Sequence, residues 1–238
     1  MNQNNRLMAR RSFLQLTGTG GLTLVAAATG SVFWSMQPKR AIAAPMLPLN
    51  PDAALRRLMN GNERFLEQKG EHPDQSMARM KEVAQAQHPF AALLSCADSR
   101  VPPEILFDQG IGDLFDIRIA GNIVTPEVLG SLEYAVDILG TPLIMVLGHE
   151  RCGAVTAAVQ GKVLSGYIGS FVKAIKPGIS KTTGESDDLV DKAVVANVQY
   201  QIEKLKLNST LLSQRLLDGK LKIVGGRYDL DTGEVTPV

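Results

Sequence analysis

The stretch "FAALLSCADSR" (residues 90–100) decides how the rest of the chain is read. Residues 90–95 are a short continuous apolar run, the pattern of a strand buried on both faces of a parallel sheet. Cys96, Asp98 and Arg100 follow at once, where such a strand would end. A second segment, "TPLIMVLGHERCG" (141–153), repeats the arrangement: an apolar run, then His149 and Cys152. Between the two, "LFDIRIAG" (114–121) reads as a strand closed by Gly121. "PEVLGSLEYAVDILG" (126–140) reads as a helix, with Pro126 at its start and Gly140 as its stop. Val128, Leu129, Leu132, Ala135, Val136 and Leu139 recur there at helical spacing. Strands alternating with helices across 90–160 predict βαβ units, hence an α/β fold with a mainly parallel β-sheet and flanking helices.

Working outward, "DAALRRLMNGNERFLEQ" (52–68) has helical periodicity, with Asp52 expected as its N-cap. It forms an N-terminal helical arm, and a second short helix is expected at about 75–86. Further helices are expected from Cys152 and over about 165–217. "KLKIVGGRYDLDTGEVTPV" (220–238) reads as strand, Asp-Thr-Gly turn and short final strand. The domain thus spans 52–238, after a proline-rich linker "APMLPLNP" (44–51).

Residues 1–43 have a different character. They carry five basic residues (Arg6, Arg10, Arg11, Lys39 and Arg40) and no acidic one. "ARRSFLQL" (9–16) resembles a twin-arginine signal, Ser12 to Pro38 is uncharged, and "AIA" (41–43) has the small-x-small pattern of a cleavage site. The expectation is a twin-arginine signal peptide over 1–43 and a periplasmic mature protein with no stable membrane span. The same 27 uncharged residues would be long enough for a membrane anchor if the segment is retained. Of the 25 basic residues in the whole chain, 20 remain beyond position 43, against 24 acidic ones. An acidic body lacks the basic face that nucleic acid requires.

The chain has two cysteines. In an oxidising compartment the rival to a metal site is a disulfide, but a disulfide has no use for the histidine and aspartate beside these thiols. Ligands at the carboxyl ends of neighbouring parallel strands converge on one point. Thiolate, imidazole and carboxylate in a tetrahedral set favour zinc, one ion per chain. Cys96, His149 and Cys152 are the dependable three. Asp98 either completes the metal shell or turns to Arg100, which can hold a carboxylate in fixed orientation. His72 and His88 lie in polar segments and read as solvent-exposed or helix-end histidines.

At these residues the chain resembles the β-class carbonic anhydrases. That family's C-x-D-S-R and H-x-x-C-G signatures stand here as Cys96-Ala97-Asp98-Ser99-Arg100 and His149-Glu150-Arg151-Cys152-Gly153. "RVPPE" (100–104), "GDLFDIRIAGN" (112–122) and "GSLEYAVDILGTPLIMVLGH" (130–149) resemble the segments around them, and the likeness runs over about 51–238. The resemblance implies reversible hydration of carbon dioxide to bicarbonate, with zinc on Cys96, His149 and Cys152 and an Asp98–Arg100 dyad managing the fourth position. It also implies a plant-like substrate pocket: Gln87 as a hydrogen-bonding residue, Phe115, Ala120 and Tyr134 as the apolar wall, and the Gly153 amide as a donor. Ala120 is smaller than its counterpart in plant members. Family members are homodimers or larger assemblies, with the N-terminal helix crossing to the partner. Two rival functions share these motifs: a hydrolase of carbon disulfide or carbonyl sulfide on the same fold, and a non-catalytic periplasmic zinc-binding protein. A binder has no need of a carboxylate held off the metal by an arginine.

Overall fold

The computed structural model describes residues 49–162, 164–183 and 186–238. The expected signal peptide, and the linker up to residue 48, lie outside the described residues. Helix α1 (Pro51–Leu66) opens the domain, followed by α2 (Met77–Val83), β1 (Ala91–Ser95), α3 (Pro103–Leu106) and β2 (Leu114–Arg118). Next come α4 (Pro126–Asp137), β3 (Leu143–His149), α5 (Gly153–Val159) and α6 (Gly169–Ile179). The chain closes with α7 (Ser186–Asn208), α8 (Thr210–Leu217), β4 (Lys222–Tyr228) and β5 (Val235–Pro237).

The five strands form one sheet in the order β2-β1-β3-β4-β5. Its β1–β2, β1–β3 and β3–β4 pairs are parallel, and only β5 runs antiparallel. The chain leaves β1 toward one edge of the sheet and returns on its other side as β3. The crevice beyond the carboxyl ends of β1 and β3 is therefore the topological switch point, where open α/β sheets place their sites.

Continuous apolar runs are needed because both faces of the sheet are covered. Ala92 and Leu94 of β1, with Ile144 and Val146 of β3, face a core completed by Leu132 of α4, Val198 and Leu205 of α7 and Leu212 of α8. Ala91 and Leu93, with Leu143, Met145 and Leu147, face Leu58 of α1 and Leu106 and Phe107 at α3. Each fully buried leucine or isoleucine stabilises the fold by about 1.5–3 kcal/mol relative to leaving it in water. Gly148, next to the ligand-bearing end of β3, lets α7 lie close: a Cβ there would sit 2.6 Å from Val198 Cγ2.

Two local expectations are corrected. The N-cap of α1 is Asn50, whose side chain accepts from the Ala53 amide at 2.7 Å, and Asp52 lies inside the first turn. Pro51 fills the first helical position, where its missing N–H costs nothing, so α1 begins inside the stretch read as linker. The second helix is shorter than expected because Ser76 caps it and accepts from the Arg79 amide. Gly140 adopts φ +73, as a stop beyond α4 requires. Among the described residues, no helix is long and apolar enough to cross a membrane.

Candidate metal centre and active site

Cys96 follows directly on β1, His149 is the last residue of β3, and Cys152 caps α5. Because β1 and β3 are parallel neighbours, these three arrive at one place. Their ligand atoms all lie within 4.8 Å of one another, and all three residues are buried. Both cysteines are free thiols.

The donor set fits a metal ion on two independent observations. The His149 ring presents Nδ1 to the Glu150 carbonyl oxygen at 2.9 Å. A carbonyl only accepts, so Nδ1 carries the proton and Nε2 keeps its lone pair. That Nε2 is buried and has no hydrogen-bond partner, an expensive state for an imidazole unless a cation satisfies it. The second observation is electrostatic. Cys96 is drawn down to about 4, first by a hydrogen bond from the Cys152 thiol and further by the Gly121 amide, against the opposing effect of burial. The hydrogen bond to Cys96, and then burial, push the Cys152 thiol up. Two buried sulfurs thus share one proton at a place where a divalent cation would let both ionise.

Asp98 stands beside this group but not in it. Its Oδ1 accepts from the Arg100 amide at 3.0 Å and from Arg100 Nε at 2.9 Å, while its Oδ2 accepts from Arg100 Nη2 at 2.8 Å. This two-point fork, led by the side-chain hydrogen bonds, holds the carboxyl well below the usual carboxylate range. Oδ2 lies 3.8 Å from His149 Nε2. Of the two roles open to Asp98, the structure therefore displays the one paired with Arg100. The other role, as a fourth protein ligand, is not the one displayed, because both Asp98 oxygens are engaged by the guanidinium.

Each half of the centre has its own scaffold. Arg118, at the end of β2, donates from Nε to the Cys96 carbonyl at 3.2 Å and from Nη2 to the Asp98 carbonyl at 2.6 Å, clamping the loop after β1. The turn after β3 is fastened by the far end of the chain. The Glu150 amide donates to the Tyr228 carbonyl, and the Leu230 amide donates to Glu150 Oε2. Arg151, at φ +50, makes a double ion pair with Asp231 at 2.9 and 2.7 Å. Sequence reasoning missed Arg118, although a lone arginine at the end of an apolar strand was a usable signal. Asp231 had no local signal.

The pocket residues divide. Ala120 packs against the buried cluster that contains Cys96 and Cys152. Gly153 is exposed at the first position of α5, with open space where a Cβ would stand, and its amide is one of the helix-start donors that have no partner within the helix. Gln87 and Tyr134 instead line a groove of about 640 Å³ with His88 and Ile138, and none of the three metal-group residues lines it. Gln87 precedes β1 whereas Cys96 follows it, and five residues of strand carry the chain about 16 Å. Phe115 pairs with Ala92 near the start of β1, and its ring lies 6.4 Å from that of Tyr134. One chain does not bring Gln87, Phe115 and Tyr134 to its own metal group. His72 and His88 are both exposed, as read.

Comparison with known proteins gives the class and then the relatives. A sequence model of the family "Carbonic anhydrase" matches residues 91–235. A solved structure of the Coccomyxa β-carbonic anhydrase matches with a TM-score of 0.62 at 28% identity, covering 77% of this chain and 86% of that one. The chain belongs to the β-carbonic anhydrase family, enzymes of the carbonate dehydratase type. Its similarity to carbonic anhydrase 2 of Mycobacterium tuberculosis is 42% identity over 188 residues, 77% of this chain and 91% of that protein. The carbonic anhydrase of Mycolicibacterium smegmatis is 42% identical over 190 residues, 78% of this chain and 92% of the relative.

Proposed function

We propose that this chain catalyses the reversible hydration of carbon dioxide to bicarbonate and a proton, with one zinc ion held by Cys96, His149 and Cys152. The observation that carries the reading is the Asp98–Arg100 fork, standing 3.8 Å from a buried imidazole nitrogen that has no partner. Zinc bound there would supply Lewis acidity that makes water a usable nucleophile near neutral pH. The protein's own groups do the rest. Asp98, kept ionised by Arg100, accepts the hydrogen bond of the attacking water and aims its lone pair at the carbon. The Gly153 amide at the helix start donates to the oxygen on which negative charge grows. The buried Ile123 and Val155, with Ala120 packed against them, shield the metal side from bulk water.

Gln87, Phe115 and Tyr134 take part only if a second copy supplies them, so the reading includes a homo-oligomer. It is supported by β2 being an edge strand of the sheet and by Tyr134 and Ile138 being exposed beside it. Light scattering tests the assembly. A Gln87→Ala chain mixed with a Cys152→Ala chain tests whether pockets are shared, since mixed dimers would then carry one intact site. The reading also includes export: residues 1–43 act as a twin-arginine signal peptide, a short linker leads from it to α1, and the mature protein is periplasmic. Trp34 is the chain's single tryptophan, so protein recovered from the periplasm should show tyrosine but no tryptophan emission. A tryptophan signal there would mean that the segment is retained.

The direct test of the activity is a stopped-flow hydration assay on zinc-loaded protein, with carbonyl sulfide as the competing substrate. Turnover of carbonyl sulfide without hydration of carbon dioxide would replace the reading.

A further inference from the structure

We propose that Asn197 and Gln201 of α7 are positioning residues of the metal centre: through Gly121 they hold the amide that hydrogen-bonds the Cys96 sulfur. The inference rests on the metal reading above and extends it to residues that touch neither metal ligand nor substrate. The Gly121 amide donates to Cys96 Sγ at 3.4 Å. Gly121 sits in a short 3-10 turn after β2 at φ +72, and a Cβ there would lie 2.6 Å from Ile175 Cδ1. The positive φ favours glycine, and glycine leaves the peptides on either side of it free to rotate. Something must hold them.

Asn197 donates Nδ2–H to the Gly121 carbonyl at 3.0 Å. Its Oδ1 accepts from Gln201 Nε2 at 3.0 Å, one helical turn on. Gln201 Oε1 in turn accepts from the Val124 amide at 2.9 Å. The turn is therefore pinned at the Ile123–Val124 peptide and at the Gly121–Asn122 peptide, next to the one whose N–H reaches the sulfur; the Asn122 amide also closes the turn on the Ile119 carbonyl at 2.9 Å. Asn197 and Gln201 are both at 0% exposure. Burying two amides costs more than burying two apolar side chains of the same size unless every donor and acceptor is used. Here the network's free end is the glycine whose N–H reaches the sulfur. A hydrogen bond to a thiolate draws charge from it and fixes the direction of its lone pairs. Partners of this kind, one step removed from the ligands, typically govern metal affinity by 10–100-fold.

The test is cobalt substitution of the full chain, together with zinc release to a chromophoric chelator. In Asn197→Ala, the sulfur-to-cobalt charge-transfer band should move to longer wavelength, because a thiolate that has lost its N–H donor gives up charge more easily. Zinc release should accelerate roughly tenfold, the lower end of the range for such partners. Gln201→Met, which conserves volume and leaves Asn197 less firmly held, should show smaller changes of the same sign, and it decides the matter if Asn197→Ala does not fold. Ser209→Ala is the control. It removes a partly buried hydrogen bond to Glu133 and the cap of α8 without touching Gly121, so it should lower the melting temperature and leave both metal readouts alone. Unchanged band position and release rate in the folded Asn197 or Gln201 variants would overturn the proposal. So would an equal shift in Ser209→Ala. A wild-type chain that binds neither cobalt nor zinc would instead overturn the metal reading itself.

Discussion

The loop after β1 and the turn after β3 carry the same kind of cargo and hold it differently. The turn after β3 supplies His149 and Cys152, exposed by 0% and 1%, and is tied to β4 and the β4–β5 turn through Glu150 and Arg151. The loop after β1 supplies the buried Cys96 and then runs out to Arg100, whose side chain is about half exposed. The turn offers a fixed pair of ligands. The loop offers one ligand and, two residues on, a carboxylate that an exposed arginine can hold or release. If the three-residue group holds a metal, the turn would supply two ligands in fixed positions, and the loop would place the Asp98 carboxylate beside the remaining position.

The sharpest break in the comparison is on the rigid side. Cys152→Ala leaves two ligands, and metal affinity should fall by more than about 100-fold, beyond what losses one step from the ligands cost. Turnover should vanish with it. Metal analysis of the purified variant checks this, and full occupancy would refute the ligand set.

On the movable side, Asp98→Asn should keep its metal and lose turnover by about 10²–10⁴, the range for a positioned acid–base group. Arg100 holds the Asp98 carboxyl far below its ordinary value, so Asp98 stays ionised through any ordinary assay range. The acid limb of the activity profile should therefore report water ionisation or a swing of Asp98 toward the metal, not protonation of Asp98. Activity should rise with pH. Arg100→Ala, which frees the carboxylate, should move the midpoint to higher pH. A midpoint that stays in place would leave water acidity as the only control.

A smaller effect tests what lies behind the loop. Asp116, two residues before the Arg118 clamp on β2, has both carboxylate oxygens buried without a hydrogen-bond partner. Burial, and then the nearby Glu104, push its carboxyl up to about 8. In the unfolded chain it ionises near pH 4. Between those values the folded state keeps a proton that the unfolded state has lost, so stability falls as pH rises through that window and levels off above it. Asp116→Val should therefore stabilise the protein by about 1–3 kcal/mol above pH 8 and little at pH 4. Melting temperatures at pH 5 and pH 9 measure the difference, and an equal gain at both would point to packing instead.

The smallest effect belongs to Asp231→Asn. Its ion pair with Arg151 joins two exposed side chains, and such pairs contribute little. Metal content and turnover should not change in chelator and stopped-flow assays. A clear loss would mean that the turn after β3 owes its rigidity to this pair rather than to Glu150 and its backbone partners.

The strand ends and the ligands were legible in the residues because both are local facts. An apolar run of five or six residues, too short for a helix, is the local pattern of a doubly covered strand. Cys96 with Asp98, and His149 with Cys152, are each brought together by two or three residues of chain, whatever the rest of the molecule does. The choice between Asp98 as ligand and Asp98 as partner of Arg100 needed the guanidinium's actual direction, which spacing leaves open. Gln87, Phe115 and Tyr134 were read into the pocket by resemblance. Their place near the starting ends of β1 and β2 follows from strand direction, and in a parallel sheet that direction separates residues flanking a strand by its full length. Arg118 and Asp231 became part of the site through sheet order and the closing hairpin. Asn197 joined it across 76 residues of intervening chain, because α7 packs against the turn at Gly121. Such contacts depend on how helices lie over the sheet, and no periodicity within either segment encodes the meeting of the two.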